Sequence, residues 1–389
     1  MKNEMHECLT NNILHFWLER MIDHERGGFY GRIDGNDHIV ADAEKGAILN
    51  ARILWAFAAA YRALGDHRYL DAALRAKEYI INHFVDKEYG GVYWSLNADG
   101  TPKDTKKQTY AIGFTIYGMS ELARATGDKE ALSCALSLYN SIEEHAFDAK
   151  NNGYIEALTR DWQPIADMRL SDKDENGSRT MNTHLHIIEP YTNLYRVAPS
   201  AELKERLVNL LHIFTDRLLN KQTNHLDLFF NDEWQGRRNI QSFGHDIEAS
   251  WLLHETALVL ADKDVLQWIE PVVKNVAVAA DEGLLDDGSM IYERWTDTGK
   301  TDRSLQWWVQ CENIIGHVNL WQHFGKEACL SIAARCWNYT KTRLVDQKNG
   351  EWFWSINEDG SVNHSDDKAG FWKCPYHNTR MCLEIMERM

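Results

Sequence analysis

The chain repeats itself six times, and any fold proposed for it must accommodate this repeat. A turn rich in Gly, Asp and Asn, followed by aromatic, strand-like residues, recurs at intervals of 61 to 72 residues. Self-similarity at such a period indicates units that bury their apolar faces against their neighbours. The six turns begin at Asp23, Asp86, Asp148, Asn220, Asp281 and Asp346.

Between the turns, apolar residues follow the 3.6-residue period of α-helices. In the first unit this period runs over residues 47–65, ends in Gly65, restarts after Asp66 and continues over 67–84. Gly followed by Asp ends one helix and caps the next, so each unit is predicted to hold two helices and a short hairpin. The same pattern predicts helix pairs at 109–126 and 129–146, 182–197 and 201–219, 244–260 and 265–280, and 307–324 and 328–344.

Six helix pairs cannot each bury their apolar faces alone, so they must stack on one another. An open stack needs polar repeats at its two ends, whereas closure into a ring removes the ends. We therefore predict an all-α fold, a closed (α/α)6 barrel of six helix hairpins with short β-hairpin connections. No linker rich in Pro, Gly or Ser divides the sequence, which indicates one domain over residues 1–389.

The inner helices of such a barrel converge on a central cleft, where a ligand is expected to bind. A long polar stretch, residues 167–180, accounts for the widest spacing between two turns. Polar loops of this length inside a compact domain are often functional. We expect this stretch to be a mobile loop at the rim of the cleft.

Composition excludes several classes of partner. The chain carries 42 Lys and Arg against 58 Asp and Glu, a net charge of −16, and no basic stretch, so nucleic acid and anionic membranes are not expected partners. It contains no run of about 20 apolar residues, and its polar N-terminus lacks the apolar core of a signal peptide. The seven cysteines form no CxxC pair. We therefore expect reduced thiols and a cytoplasmic protein.

Polar residues interrupt the apolar helices that open each pair. Arg52 lies in an otherwise apolar helix, where a guanidinium is costly unless it is paired or faces a wet cleft. It either ties helix ends together or belongs to a site. Asn182 and His186 are four residues apart and share a helix face. His184 lies two residues from His186, so these two imidazoles are predicted to point in different directions.

Two further histidines have a polar neighbour one turn away. His245 precedes Glu248 by three residues, and His377 precedes Arg380 by three. A carboxylate beside an imidazole can orient it or raise its basicity. A lone histidine is usually a core residue, but three on separate inner helices point to acid–base chemistry. They could also bind Zn²⁺ if they converged with a glutamate, although the chain has no HExxH motif, phosphate loop or GxSxG motif.

Aromatic residues accompany these polar groups. Trp308 and Trp372 lie beside polar clusters and are candidates for stacking on sugar rings, although core packing is the common role of a tryptophan. Tyr110 opens an inner helix, where its hydroxyl can hold Arg52 or a ligand hydroxyl. The pattern favours an aromatic-walled cleft for a neutral ligand.

These residues stand in motifs that identify a family. Over essentially its whole length the sequence resembles the cellobiose 2-epimerases, members of the N-acylglucosamine 2-epimerase superfamily. That family folds as an (α/α)6 barrel, which agrees with the repeat. The motifs are GGFYG (27–31), ARILW (51–55), EYGGVYW (88–94), MN (181–182) followed by LH (185–186), GHDIEA (244–249), WWVQ (307–310) and WKCPYHN (372–378).

The resemblance implies a role for each matching residue. It makes His245 and His377 the acid–base pair and His186 a third essential histidine. Asn50 and Thr379 depart from the family pattern, in which histidine and glycine are common; neither removes an assigned group, but both could alter substrate preference. The residues implied to contact, orient or stack on the sugar are Arg52, Tyr110, Asn182, Glu248, Trp308 and Trp372.

The implied activity is epimerisation at C2 of the reducing sugar of a neutral β-1,4-linked disaccharide, cellobiose or mannobiose. The resemblance implies no metal, nicotinamide or nucleotide, and a monomer or homodimer. An aldose–ketose isomerase of the same superfamily is the nearest alternative. A glycoside hydrolase, with Glu248 and Glu312 as its carboxylates, and a sugar-binding protein without activity are the others.

Overall fold

The computed structural model describes residues 1–236 and 240–389, and α-helices dominate it. Three π-helical segments join α1 to α2 (Cys8–Leu14) and extend α4 (Ile80–Phe84) and α8 (Phe214–Leu218). No helix within the described ranges is long and apolar enough to cross a membrane. In chain order the α-helices are α1 (Lys2–Glu7), α2 (His15–Arg20), α3 (Ala47–Leu64), α4 (His67–Tyr79), α5 (Thr109–Thr126), α6 (Lys129–His145), α7 (Met181–Val197), α8 (Ala201–Ile213), α9 (Phe243–Leu260), α10 (Lys263–Ala280), α11 (Trp307–Phe324), α12 (Glu327–Arg343) and α13 (His377–Arg388).

The five helix pairs between residues 47 and 344 lie where the sequence predicts them. Both bounds of α5 and α11 agree, and the other ends differ by at most two residues once the π-helical segments are included. The helix stop at Gly65 is a left-handed residue with φ 71°, which glycine adopts without strain. Asp66 then caps α4 by accepting a hydrogen bond from the backbone N–H of Arg68. Local stop and cap signals therefore set these boundaries.

The odd-numbered helices from α3 to α13 form an inner ring. Each packs on the next, and α13 packs back on α3, so the ring is closed. Every residue of α3 from Ala47 to Ala60 is buried, whereas α4 buries a single face. A helix buried on all its faces must be enclosed, and α4, α5 and α13 pack around this one. The predicted (α/α)6 barrel is confirmed.

The sixth helix pair is built from the two ends of the chain. The helix α1 and the π-helical segment after it pack on α13, so the first helix is the outer partner of the last. A hydrogen bond also joins the N-terminal and C-terminal parts of the chain: the indole N–H of Trp17 donates to Glu351 Oε2 at 2.6 Å. The sequence pattern showed only five complete pairs, since residues so far apart in the chain leave no common period.

Short antiparallel strands gather at the N-terminal ends of the inner helices. The strand before each of α3, α5, α7, α9 and α11 pairs with a strand that follows the outer helix of the same pair: β1 with β2, β4 with β7, β8 with β9, β10 with β11 and β13 with β14. These pairs anchor the first turns of the inner helices. The strands are β1 (Lys45–Gly46), β2 (Ser95–Leu96), β3 (Pro102–Asp104), β4 (Lys107–Gln108), β5 (Phe147–Asp148), β6 (Gly153–Tyr154), β7 (Ala157–Leu158), β8 (Arg179–Thr180), β9 (Phe229–Phe230), β10 (Ile240–Ser242), β11 (Glu293–Trp295), β12 (Thr301–Asp302), β13 (Leu305–Gln306) and β14 (Ser355–Ile356).

The aspartates that open the repeated turns explain why the repeat is visible in the sequence. Asp86 Oδ1 accepts hydrogen bonds from the backbone N–H groups of Glu88 and Tyr89, and its Oδ2 accepts one from Lys107 Nζ at 2.9 Å. One carboxylate thus closes the turn and ties it to the strand that leads into the next inner helix. Equivalent ion pairs join Asp23 to Lys45, Asp148 to Arg179 and Asp346 to Lys368.

Candidate active site

The first turns of the inner helices surround a cavity of about 700 Å³. The polar stretch 167–180 lies at its mouth, where Gln108 Nε2 donates to the carbonyls of Met168 and Arg169. Eight of the nine predicted site residues lie within the first six residues of an inner helix, and Trp372 precedes α13. All nine line this one cavity: Arg52, Tyr110, Asn182, His186, His245, Glu248, Trp308, Trp372 and His377.

Arg52 is a buried cation whose hydrogen-bond partners are neutral. Its Nη2 donates to Tyr110 Oη at 2.8 Å, and its Nη1 donates to Cys374 Sγ at 3.6 Å. The guanidinium lies over the ring of Phe114, 4.1 Å from the ring centre. Because no carboxylate accepts from it, Arg52 is free to neutralise an anion that forms in the cavity.

His186 stands at a kink in α7. Its backbone angles, φ −92° and ψ 17°, leave the helical range, because Pro190 has no N–H to donate to the carbonyl four residues back. The ring is anchored through Nδ1, which lies 3.0 Å from Glu189 Oε2. Burial lowers the pKa of His186 to about 4. The imidazole is therefore held in one orientation and uncharged at neutral pH.

His184 points away from the cavity, as the two-residue spacing predicts. Its Nδ1 donates to the carbonyl of Thr180 at 2.7 Å, and its Nε2 accepts the backbone N–H of Tyr154 at 3.0 Å. Both ring nitrogens are occupied by the protein backbone. This histidine holds β6 against the start of α7 and takes no part in the site.

A buried cluster of carboxylates surrounds Arg380 behind His377. Arg380 Nη2 donates to Glu248 Oε1 at 2.6 Å and to Glu312 Oε1 at 2.7 Å, and Nη1 donates to Glu189 Oε1. His377 Nδ1 lies 2.6 Å from Glu312 Oε1 and 3.9 Å from Glu248 Oε1.

The sequence interpretation placed Glu248 beside His245, three residues away on the same helix. In the structure Glu248 turns towards Arg380 and His377, so the partner that we expected for His245 lies beside a different histidine. Arg380, three residues after His377, likewise binds the carboxylates. Helical spacing identified a shared face but not the contact, because side chains from neighbouring helices compete for the same groups.

Burial and crowding of negative charge make this cluster retain protons. Burial raises the pKa of Glu312 to about 7, and burial together with the nearby charge of Glu312 raises that of Glu248 well above its ordinary value. Burial also lowers the pKa of His377 well below its usual range. A 2.6 Å contact between a carboxylate and an imidazole nitrogen requires a proton between them, so Glu312 and His377 share one at neutral pH.

Glu248, Glu312 and His377 also form the group of described residues with the geometry closest to a metal site. Their potential ligand atoms lie within 4.8 Å of one another. The guanidinium of Arg380 already donates to both carboxylates, so it supplies the positive charge that a metal ion would bring. The alternative in which three histidines and a glutamate bind Zn²⁺ is not favoured by this arrangement, since His186 and His245 are anchored elsewhere.

His245 differs from the other two cavity histidines in its anchor. Its Nδ1 lies 2.8 Å from the hydroxyl oxygen of Ser242, and its ring packs against Trp308 with centroids 4.7 Å apart. Burial lowers the pKa of His245 to about 3, so the ring is neutral. The ring of Trp308 also lies 5.6 Å from that of His377, so it contacts both imidazoles.

The aromatic wall is wider than the sequence indicated. Trp372 packs 6.2 Å from Tyr110 and 6.0 Å from Trp94. Trp295, Trp307, Trp354 and Tyr292 also line the cavity. Asn50 and Thr379, which depart from the family pattern, are buried and do not line it; Asn50 Nδ2 donates to the Gly46 carbonyl.

Sequence reasoning missed the groups that anchor the site. Glu189 and Ser242 each lie three residues from the histidine that they hold, a spacing that the sequence displays. Glu312 was considered only as a hydrolase carboxylate, and Tyr376 was not considered, although its hydroxyl donates to Glu189. These last two act across the ring, where spacing along the chain carries no signal.

A toroid of six helix pairs whose cavity joins three anchored imidazoles, a free guanidinium and tryptophan walls defines a carbohydrate-active acid–base enzyme. The match to known families makes this specific. Residues 28–380 match the model of the N-acylglucosamine 2-epimerase (GlcNAc 2-epimerase) family. The chain belongs to this family.

The matches to individual relatives extend over almost the whole length of both chains. The chain is 58% identical to a cellobiose 2-epimerase of Bacteroides fragilis, over 99% of this chain and 98% of the relative. It is 38% identical to one of Ruminococcus albus, over 100% and 99%. Its structure superposes on that of a cellobiose 2-epimerase from Bacillus thermoamylovorans with TM-score 0.94, 40% identity and coverage of 100% and 99%. A D-mannose isomerase structure, at 21% identity and TM-score 0.87, shares the fold.

Proposed function

We propose that this chain epimerises the reducing sugar of β-1,4-linked disaccharides at C2, converting cellobiose to glucosyl-mannose or mannobiose to mannosyl-glucose. The observation that carries the proposal is the unneutralised guanidinium of Arg52 beside His186, His245 and His377 in one cavity. The 58% identity to a cellobiose 2-epimerase supports the substrate class. The closed ring supports a single catalytic domain over residues 1–389.

The chemistry begins with opening of the hemiacetal ring, because only the free aldehyde makes the C2 proton acidic. A neutral imidazole then removes that proton, and the C–H electron pair becomes the C1–C2 double bond of an enediolate. Its negative oxygen requires a fixed cation, which Arg52 supplies. Reprotonation of C2 on the opposite face returns the aldehyde with inverted configuration.

We assign the two proton transfers to His245 and His377. They lie on different helices and are the imidazoles nearest to the ring of Trp308 among the described residues. Rotation about C2–C3 of the intermediate brings each face of C2 to one of them without turning the disaccharide. Asn182 and Tyr110 hold hydroxyls, while Trp308 and Trp372 stack on the sugar rings. These steps use only groups of this chain.

The carboxylate geometry disfavours a glycoside hydrolase. Such an enzyme places two carboxyls on opposite sides of the scissile bond, about 5 to 9.5 Å apart. Glu248 and Glu312 instead converge on one nitrogen of Arg380, behind His377. They cannot flank a bound sugar, and Glu312 instead shares a proton with Nδ1 of His377.

The experiment is NMR of cellobiose and of mannobiose incubated with chelator-treated protein in D2O. We expect the C2 epimer to appear with deuterium at C2. A ketose product would instead assign the chain to the isomerases, and released monosaccharide would assign it to the hydrolases. No conversion of either disaccharide would contradict the proposal.

A further inference from the structure

The three cavity histidines are all anchored through Nδ1, but not by the same kind of group. His186 is held by the carboxylate of Glu189 at 3.0 Å. His377 is held by a carboxylate at 2.6 Å. His245 is held by the hydroxyl of Ser242 at 2.8 Å. A carboxylate stabilises an imidazolium much more than a hydroxyl does, so His245 has the anchor that favours its neutral form.

Ser242 sits where a serine usually has another task. It is the N-cap residue of α9, a position at which Ser normally accepts a backbone N–H from the first turn. Ser242 makes no such cap, whereas Ser200 caps α8 by accepting from the N–H of Leu203. The Ser242 hydroxyl is turned instead to the ring of His245, three residues on. The hydroxyl therefore orients an imidazole instead of capping the helix.

This contact joins Nδ1 to a hydroxyl, which can either donate or accept. A hydroxyl oxygen that accepts the Nδ1 proton of His245 leaves Nε2 with a free lone pair. In the neutral ring only one nitrogen carries a proton, so a base at Nε2 requires that the proton of Nδ1 lie on this contact. The ring of His245 also packs against that of Trp308, with centroids 4.7 Å apart, which limits rotation of the imidazole.

We propose that Ser242 is a positioning residue whose hydroxyl accepts the Nδ1 proton of His245 and so fixes the tautomer and the plane of the ring, with Nε2 facing C2 of the open-chain sugar as the proton acceptor. This inference rests on the proposed epimerase function. His377, on Glu312, then supplies the proton to the opposite face. The two proton carriers are thus made unequal by their anchors rather than by their own chemistry.

The groups around His245 do not offer another anchor. The cavity imidazoles that face it are His186 from α7 and His377 from α13, and positive charge on either one disfavours a second positive charge on His245. Glu248, on its own helix, is bound to Arg380. In the described part of the chain the hydroxyl of Ser242 is therefore the group that holds the ring.

The first test compares two serines at N-cap positions, Ser242 of the inner helix α9 and Ser200 of the outer helix α8. In Ser242→Ala the Nδ1 proton of His245 loses its acceptor, and we expect kcat for cellobiose epimerisation to fall about tenfold to a hundredfold. Affinity for cellobiitol, a disaccharide alcohol without an aldehyde, should stay within twofold of the wild-type value, and the Tm should change little. Ser200→Ala, which removes a true cap, should lower the Tm and leave kcat unchanged. Ser242→Thr should restore most of the rate.

The second test uses a readout that packing alone does not move. In Ser242→Asp an anion replaces the hydroxyl and favours the imidazolium, which raises the pKa of His245. The acidic limb of the kcat/KM profile should therefore move to higher pH, whereas in Ser242→Ala it should lose height without moving upward. Full kcat in Ser242→Ala, or an unmoved limb in Ser242→Asp, would overturn the inference.

These outcomes are separable from failure of the proposed function. If the wild-type protein does not epimerise cellobiose or mannobiose, the function is wrong. If the wild-type protein epimerises and the Ser242 variants behave like it, the function stands and the role of Ser242 is wrong. A large Tm loss in Ser242→Ala, with equal loss of cellobiitol binding, would show that Ser242 is only structural.

Discussion

The two ends of the inner helices handle buried charge in different ways. At their C-terminal ends, cations and carboxylates pair in equal numbers between neighbouring helices. Arg62 of α3 pairs with Glu121 of α5 at 2.7 Å and with Glu387 of α13 at 3.1 Å, and Glu121 also pairs with Arg124. Arg196 of α7 pairs with Glu255 of α9 at 2.6 Å. At their N-terminal ends, the single guanidinium of Arg380 serves three carboxylates. Opposite charges are therefore equal in number at the C-terminal ends, whereas carboxylates outnumber the guanidinium of Arg380 at the N-terminal ends.

This difference separates stability from function. Balanced pairs fasten adjacent helices of the ring and have no reason to exchange protons. The unbalanced end holds the carboxyl of Glu312, whose pKa is raised to about 7, next to His377 in the cavity. Substitutions at the two ends should therefore have different consequences.

Substitution at the unbalanced end should abolish turnover. In His377→Asn we expect kcat to fall about 10²- to 10⁴-fold, because one of the two proton carriers is lost, while cellobiitol still binds. Steady-state kinetics and calorimetric titration measure the two effects. His184→Asn is the matched control on the non-catalytic face of α7: it should cost about 1–3 kcal/mol of unfolding free energy and leave kcat unchanged. Full activity of His377→Asn would remove His377 from the mechanism.

Arg380→Met should have the largest effect on stability. It leaves Glu189, Glu248 and Glu312 buried without their cation, and we expect the free energy of unfolding to fall by about 3–5 kcal/mol. Urea denaturation at neutral pH measures this loss, with Arg380→Lys as a charge-preserving control that should lose less. A loss below about 1 kcal/mol would show that the cluster is not held by this guanidinium.

Acidity should distinguish the wild-type protein from Glu312→Gln. The pKa of Glu312 is raised to about 7 in the folded protein, from an ordinary value near 4.5, so its contribution to stability is complete below pH 4.5 and is lost as the pH rises through 7. Relative to Glu312→Gln, the wild-type protein should lose about 3 kcal/mol of unfolding free energy over this interval. Denaturation of both proteins at several pH values measures the difference, and a constant difference would refute a raised pKa.

The smallest effect is expected at the balanced end. Arg196 and Glu255 are partly exposed, at 23% and 18%, so a double-mutant cycle with Arg196→Met and Glu255→Gln should give a coupling of about 1 kcal/mol or less. No change in kcat is expected in either variant. A coupling as large as the loss in Arg380→Met would remove the distinction between the two ends.

The fold was largely predictable because its signals are local. Helix stops such as Gly65, caps such as Asp66 and the turn aspartates act within a few residues of their partners, and they set the repeat. The sixth helix pair was predicted from the number of turns, but its outer helix was not located, since α1 and α13 lie at opposite ends of the chain and share no period.

The site shows the same division. Residue type and helical spacing placed His186, His245 and His377 in one cavity and turned His184 away from it. They did not identify the anchor of each ring. The pairing of Glu248 with His245 was wrong, because Arg380 from another helix binds that carboxylate more closely.

The repeat, the helix bounds and the residues that line the cavity follow from the amino-acid sequence alone, because hydrophobic period and capping depend on neighbours in the chain. Which carboxylate meets which histidine was decided only when the ring closed. Glu312 and His377 are separated by 65 positions in the sequence and belong to different helix pairs, yet Glu312 Oε1 lies 2.6 Å from His377 Nδ1. Tertiary packing alone brings such groups together, and low exposure to water then shifts their pKa values.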